Sequence, residues 1–481
     1  MSSRPIIVME MNELCPPLLE KWMADGSLPH FRAMHAESQV FETEADVETQ
    51  NELEPWIQWY SVHTGLAYDQ HGVFNLTDGK RAGHDDIFHA LIAAGRTVAN
   101  FSSMNARPFD AEGSVFLGDP WSEDGDAVPA ELNIYNRFVS HNVREYSNSE
   151  AGLGAKDYAD FLSFMMRRGL SAKTVADIVR QLASERLKGG HLSYRRVAIL
   201  DRLQFDLFRH YYQDRKPDFA TFFLNSTAHL QHSYWRHMEP ERFEAKPDET
   251  ERGKYADAVK FGYQAMDELV GRFRQMARAR GALLVFQTAL SQQPFLKQEG
   301  TGGQNFYRLR KADAFFTRLG LNQVATEPTM THQYMLSFAD NDARDRAIAR
   351  LKALVLADGR RVFGVGPAKG AEAALYTGAQ IWEKVADDLT YVDDTDGSTH
   401  RFADDFYRID AIKSGGHHPI GCLWFQTGVH QVHSTRASIL DTYPTFLDLM
   451  DVGAAAGAGG AARRGRSLVP DFGAVPAQLA A

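Results

Sequence analysis

The sequence predicts an α/β protein: a mainly parallel central sheet flanked by helices, with one helical and one small α+β insertion. Three observations carry this expectation. The run Pro5–Met9 is short and apolar, ends in polar residues, and leads into a helix-like stretch. Similar runs recur at Thr97–Phe101, Phe219–Leu224 and Ala282–Phe286, with helical patterns between them. Strands that alternate with helices form a parallel sheet covered on both faces. The 481 residues are 44% hydrophobic and 24% charged, ordinary globular usage that supplies a sizeable core.

The elements follow in order. Pro16 and Pro17 open a first helix, which carries Leu18, Leu19, Trp22 and Met23 and is closed by Gly26. Residues 1–150 form the N-terminal part of the core. Residues 151–215 have amphipathic spacing through Phe161, Phe164 and Met165, and again through Val175, Ile178 and Val179. That segment reads as a helical insertion, a cap. Residues 216–304 resume the core. Residues 305–400 read as the α+β insertion, with strands at Tyr334–Phe338 and Ala374–Ile381 and a helix over Ala343–Leu356. Residues 401–481 complete the core and include a Gly-, Ala- and Arg-rich stretch, Gly453–Arg464, with the composition of a flexible linker.

Charge and cysteine content narrow the function. The chain has 62 acidic and 52 basic residues, a formal net charge of -10. That balance speaks against a general binder of nucleic acid or anionic membrane. Cys15 and Cys422 are too few for a disulfide framework. No window reaches the ~20 apolar residues of a membrane helix, and the first residues lack the apolar core of a signal peptide. The expectation is a cytoplasmic protein with a small-molecule substrate, no nucleic-acid partner and no membrane insertion.

Several segments, taken in order, resemble one family. They are Ile6–Met34 with its "G-S-L-P-H-F" turn, and "PWIQWYSVHTG" (Pro55–Gly65) followed by "HGVF". Next come "FFLNSTAHLQHSYW" (Phe222–Trp235) and "ALLVFQTALSQQ" (Ala282–Gln293). The series ends with "GGHHPIGCLWFQTG" (Gly415–Gly428), "DTYPTFLDLM" (Asp441–Met450) and "GRSL" (Gly465–Leu468). The series is similar to the alkaline phosphatase superfamily, in its type I phosphodiesterase/nucleotide pyrophosphatase branch. It covers most of the chain apart from the two insertions. The resemblance implies a phosphoryl-transfer enzyme in which two metals clamp a phosphate and a Thr or Ser attacks phosphorus.

The departures fall on the positions that matter most. The resemblance places a first metal-binding Asp at Glu10, or at Asn12 or Glu13 if the loop slips. It places the nucleophile at Pro55, beside Glu52 and Glu54. Ala228 stands where the "D-x-x-x-H" motif has Asp, although His232 is kept, and Ala289 and Leu290 replace an Asp–His pair. His417 matches the last metal histidine. One site is thereby stripped of ligands. The other keeps His232 and His417, with His229 as a recruit one helical turn away. A single zinc or manganese and a metal-free pocket both agree with that tally. A slipped alignment, with Asp69, Asp218 or Asp404 supplying carboxylates, is a third reading.

Ligands in such sheets bind beyond the carboxyl ends of the strands. The candidate catalytic residues are therefore Glu10, Glu13, Glu54, His63, His232 and His417. The candidate substrate-binding residues are Asn12, Gln58, Asn225, His229, Ser291 and Gln292. Polar strand-end residues also cap helices, which is their commonplace use. His63 and His71, which flank the "T-G" turn, read equally as packed, backbone-bonded histidines. Tyr194, Arg195 and Arg196 in the helical segment could present guanidinium groups to an anion, or form an ordinary charged surface. The expected function is hydrolysis or group transfer on a phosphorylated or sugar-containing metabolite, a sugar phosphate or nucleotide sugar, in a rebuilt pocket. The alternative is an inactive relative that binds a ligand or serves in assembly.

Overall fold

The computed structural model describes residues 4–47, 52–76, 78–121, 125–145, 153–188, 190–329, 332–409, 412–453 and 462–473. Most of the stretch read as a linker, residues 454–461, lies outside them.

Seven strands and a two-strand ribbon organise the molecule. They are β1 (Ile6–Met11), β2 (Gln39–Glu44), β3 (Val98–Phe101), β4 (Val115–Leu117), β5 (Phe219–Leu224) and β6 (Leu283–Gln287), then β7 (Ser291–Pro294), β8 (Gly415–His418) and β9 (Ile420–Phe425). Across the central sheet the order is Gln431–Val432, β2, β9, β6, β1, β5, β3, β4, with Ala437–Ser438 beside β2. β1 runs parallel to β5 and β6, and β3 runs parallel to β4 and β5. β9 is antiparallel to β2 and β6. β7 and β8 pair with each other as an antiparallel ribbon that places Gln292 opposite His417.

Every residue of β1 is buried, as suits a central strand covered on both faces. Ile7, Met9 and Met11 enter one core, and Ile6 and Val8 enter the other. The helices that matter for the site are α1 (Pro16–Ala24), α2 (Pro55–Thr64), α3 (Val197–Arg215), α4 (Ser226–Met238) and α5 (Ala258–Arg280). Prolines open α1 and α2 where the missing N–H goes unneeded, and Gly65 ends α2 in the left-handed conformation. Residues 151–215 do not act as one cap. α3 buries Leu203, Phe205, Leu207, Phe208, Tyr211 and Tyr212 in the same core as Phe101 and Phe222 of the sheet. Amphipathic spacing reveals a buried face without revealing what covers it.

Residues 307–408 form the α+β unit around their own core, which includes Phe316, Tyr334, Leu351, Leu375 and Phe406. Its helix is Asn341–Lys352, shorter at its end than expected, because Leu354–Leu356 forms a strand. A short apolar run does not distinguish the two by periodicity. Among the described residues, no helix is long and apolar enough to cross a membrane.

Candidate functional site

The site assembles beyond the carboxyl ends of β1, β5 and β6. Two residues past β1, Glu13 takes a left-handed backbone conformation, φ 61°, which costs a non-glycine residue about 1–3 kcal/mol. That bend turns its buried carboxylate toward α4 and β8. Glu13 Oε2 lies 3.2 Å from His232 Nε2 and 3.6 Å from His417 Nε2. The two imidazole centroids are 5.3 Å apart. One donor atom from each of Glu13, His232 and His417 falls within 4.8 Å of the others.

Each of these three residues is steered by an outer partner. His232 Nδ1 donates to the carbonyl of Gly415 (2.9 Å), which leaves Nε2 facing Glu13. His417 Nδ1 faces Glu54 Oε2 at 3.5 Å, so its Nε2 also faces Glu13. Gln292 Nε2 donates to Glu13 Oε2 (2.5 Å) and to the carbonyl of Ala228 (3.0 Å). Asn12 Nδ2 donates to Glu13 Oε1 (2.7 Å). Position 415 must be glycine, since a Cβ there would stand 2.6 Å from the backbone carbonyl oxygen of Gln231. Two histidines with tied Nδ1 atoms and one held carboxylate are a donor set that fits zinc, and also suits manganese.

The electrostatics agree. Burial alone would raise the Glu13 pKa, but the charges of His417 and His232 and the hydrogen bonds from His232 and Gln292 outweigh it and hold it at about 2. Burial lowers His417 to about 4 against the pull of Glu13, with help from His232 and Lys413. His417 is thus unprotonated at neutral pH. Glu54 is pushed up to about 7 by burial, and Glu13 adds to the rise while Lys413 opposes it.

Lys413 gave no signal in the sequence. Its ammonium lies 4.8 Å from the Phe295 ring centroid, and burial lowers its pKa while Glu54 and Glu13 raise it. Among the described residues, no carboxylate lies within ion-pair distance of it. It stands two residues before β8, so only its strand-end position could have marked it.

The other expected residues divide by location. His229 keeps an open edge to solvent but is ringed by protein, and this desolvation, with the charge of His232, lowers it to about 4. Glu13, not His229, completes the three-donor cluster. Glu10 points to the opposite face of the sheet, where Oε1 meets His63 Nε2 (2.8 Å) and Oε2 accepts from Ser103 Oγ (2.6 Å). Glu10 and His63 therefore form a buried pair away from the cluster. Asn12 also donates to Asn225 Oδ1 (2.7 Å) and accepts from Trp59 Nε1 (2.8 Å), tying the ends of β1 and β5 to α2. Gln58 bonds the backbone of Asp46 and Glu52, anchoring the loop before α2. Ser291 Oγ donates to the carbonyl of Ile420.

Ala289 and Leu290 are wholly buried among Leu53, Trp59, Phe223 and Leu440. Apolar packing occupies the place where the resemblance implies a second set of metal ligands. Asp69, Asp218 and Asp404 do not fill it: Asp69 pairs with Arg464, Asp218 bonds Thr97, and Asp404 pairs with Arg401. Arg196 pairs with Glu185, and Arg195 lies over Phe261. His71 accepts from the backbone N–H of Val73 and is held at about 3 by burial.

No protein-family profile matches the chain, and no curated protein sequence matches it either. Solved structures do resemble it in outline. Phosphonoacetate hydrolase from Sinorhizobium meliloti 1021, in complex with phosphonoacetate, is 13% identical with a TM-score of 0.41, covering 95% of this chain and 96% of that one. Murine ectonucleotide pyrophosphatase/phosphodiesterase 5, an inactive variant in complex with AMP, is 9% identical with a TM-score of 0.40, covering 94% and 96%. A variant of the alkaline phosphatase PafA is 12% identical with a TM-score of 0.43, covering 98% and 99%.

Proposed function

We propose that this chain is a single-metal phosphohydrolase acting on a small phosphorylated metabolite, with sugar phosphates and nucleotide sugars the first to screen. The observation that carries the reading is the Glu13–His232–His417 cluster, each member held by its own outer partner, beside the Lys413 ammonium, which has no ion pair among the described residues. A zinc or manganese ion bound by these three residues would supply Lewis-acid charge to a phosphoryl oxygen. The chain's own residues do the rest. Lys413 attracts the anionic group. Gln292 and the Gly415 carbonyl keep Glu13 and His232 aimed at one point. Glu54 keeps the Nε2 lone pair of His417 directed into the cluster.

The test begins with elemental mass spectrometry on protein purified without a metal-affinity tag. One zinc or manganese per chain is expected, lost in His232→Ala, together with turnover of an aryl phosphate that returns on adding metal back. Two metals per chain would reinstate the ordinary two-metal mechanism. No metal, with thermal shifts caused by nucleotide sugars, would make the chain a ligand-binding relative, a reading that Pro55 and the buried Ala289–Leu290 pair favour.

A further inference from the structure

We propose that the chain passes the phosphoryl group directly to water, without a phosphoenzyme, and that Glu54 takes the proton of the attacking water. This rests on the phosphohydrolase reading above. The start of α2 is where the resemblance implies a Thr or Ser nucleophile, and it reads Glu54–Pro55, with Glu54 as the helix cap.

Among the described residues, Ser226, Ser291, Thr288 and Ser61 are committed elsewhere, and Thr227, whose hydroxyl makes no hydrogen bond, is buried against Gly262 of α5. Ser226 Oγ donates to Asp201 Oδ2 (2.5 Å), and Ser291 Oγ donates to the carbonyl of Ile420. Thr288 is wholly buried, and its hydroxyl accepts from the backbone N–H of Cys422 (2.9 Å). Ser61 meets His71 Nε2 at 3.0 Å, which outwardly suggests a nucleophile–base dyad. The tautomer rules it out. His71 Nδ1 accepts from Val73 N–H (3.0 Å), so Nε2 carries the proton and donates to Ser61. That imidazole has no lone pair facing the hydroxyl.

A carboxylate stands there instead. The Glu54 side chain keeps a third of its surface exposed, and one oxygen faces His417 at 3.5 Å. Its other oxygen is left for a water. The step balances without any further reactant. A water oxygen bonds to phosphorus as the ester P–O bond breaks, and one water proton goes to Glu54. The electron pair of the broken bond leaves on the alcohol oxygen, which takes a proton from solvent, and Glu54 gives its proton back to solvent. Ester and water give alcohol and inorganic phosphate.

A single displacement inverts configuration at phosphorus, whereas passage through a covalent intermediate retains it. The experiment uses the full chain with its metal restored, an aryl phosphorothioate made chiral at phosphorus by two oxygen isotopes, and water of the third isotope, so that the thiophosphate released is itself chiral. Inversion is expected. Measured at saturating metal, Glu54→Gln should lower kcat by about 10²–10⁴-fold, beyond the weaker metal binding that follows from loosening His417. Retention would overturn the proposal and point to a covalent intermediate on an imidazole. Unchanged turnover in Glu54→Gln would overturn the role of Glu54. A chain that holds its metal but turns over no phosphoester would overturn the phosphohydrolase reading, and this proposal with it.

Discussion

Glu10 and Glu13 stand three residues apart and face different surroundings. Glu10 lies on β1 and follows the strand's alternation, so its carboxylate goes to the side of Ile6 and Val8 and meets His63 and Ser103. Glu13 lies past the strand, and its left-handed backbone turns it to the histidines. Removing Glu10 strands the buried imidazole of His63, while Ser103 keeps the Thr221 hydroxyl as a partner (2.8 Å). Glu10→Ala should therefore cost roughly 1–3 kcal/mol in urea unfolding, with metal content unchanged. A loss of metal at full stability would return Glu10 to the site. Gln292→Leu should do the reverse, lowering metal affinity by about 10–100-fold in calorimetric titration. Glu13, His232 and His417, which the structure brings within reach of one another, each stand out in the sequence as candidates. Their division of labour is not legible there. Strand alternation can be counted along a sequence, but a single backbone bend after the strand decides which acid joins the histidines.

Two elements fix the start of α2 and of α4, and both have measurable consequences. Leu290 packs beneath α2 with Trp59 and Phe223. Leu290→Ala should cost about 2–5 kcal/mol. Leu290→Asp, an attempt to restore a ligand, should give unfolded or insoluble protein instead of a second metal. At α4, Ser226 donates to Asp201 of α3, whose pKa burial raises from 3.8 to about 7. The native state thus holds that proton more tightly than the unfolded chain. Its contribution to stability declines as pH rises from about 4 to 7 and is level above that. Asp201→Asn should flatten this part of the stability–pH curve and raise the melting temperature at pH 8. An unchanged slope would mean that Asp201 is ionised throughout. The parallel core strands were legible as runs bounded by polar residues. The role of α3 was not, because its spacing is the same whether it packs on a sheet or roofs a pocket.

The whole molecule interrupts its own site. The chain leaves at β7, just after Gln292, builds the α+β unit, and returns at β8 with His417. Pairing of β7 with β8 closes that excursion at its base and sets Gln292 opposite His417, so the site's geometry is fixed there and not by the body of the insertion. The insertion is held to the core at a second place. Tyr376 OH donates to Asn75 Oδ1 (2.6 Å), and Asn75 Nδ2 donates to the carbonyl of Lys369 (3.0 Å). Lys369 in turn reaches Tyr68 OH (2.7 Å). These bonds join the sheet edge at Phe363–Pro367 and Ala374–Ala379 to the loop that follows α2. Tyr376→Phe removes one of them, about 0.5–1.5 kcal/mol. Asn75→Ala removes both contacts to the insertion. In hydrogen exchange, residues 363–379 should open several-fold faster in Asn75→Ala and less so in Tyr376→Phe, while β1, β5 and β6 keep their protection. Metal affinity should stay at the wild-type value in both variants, because the β7–β8 ribbon is untouched. A parallel loss of metal affinity would mean that the second attachment, and not the ribbon, holds His417 against Glu13.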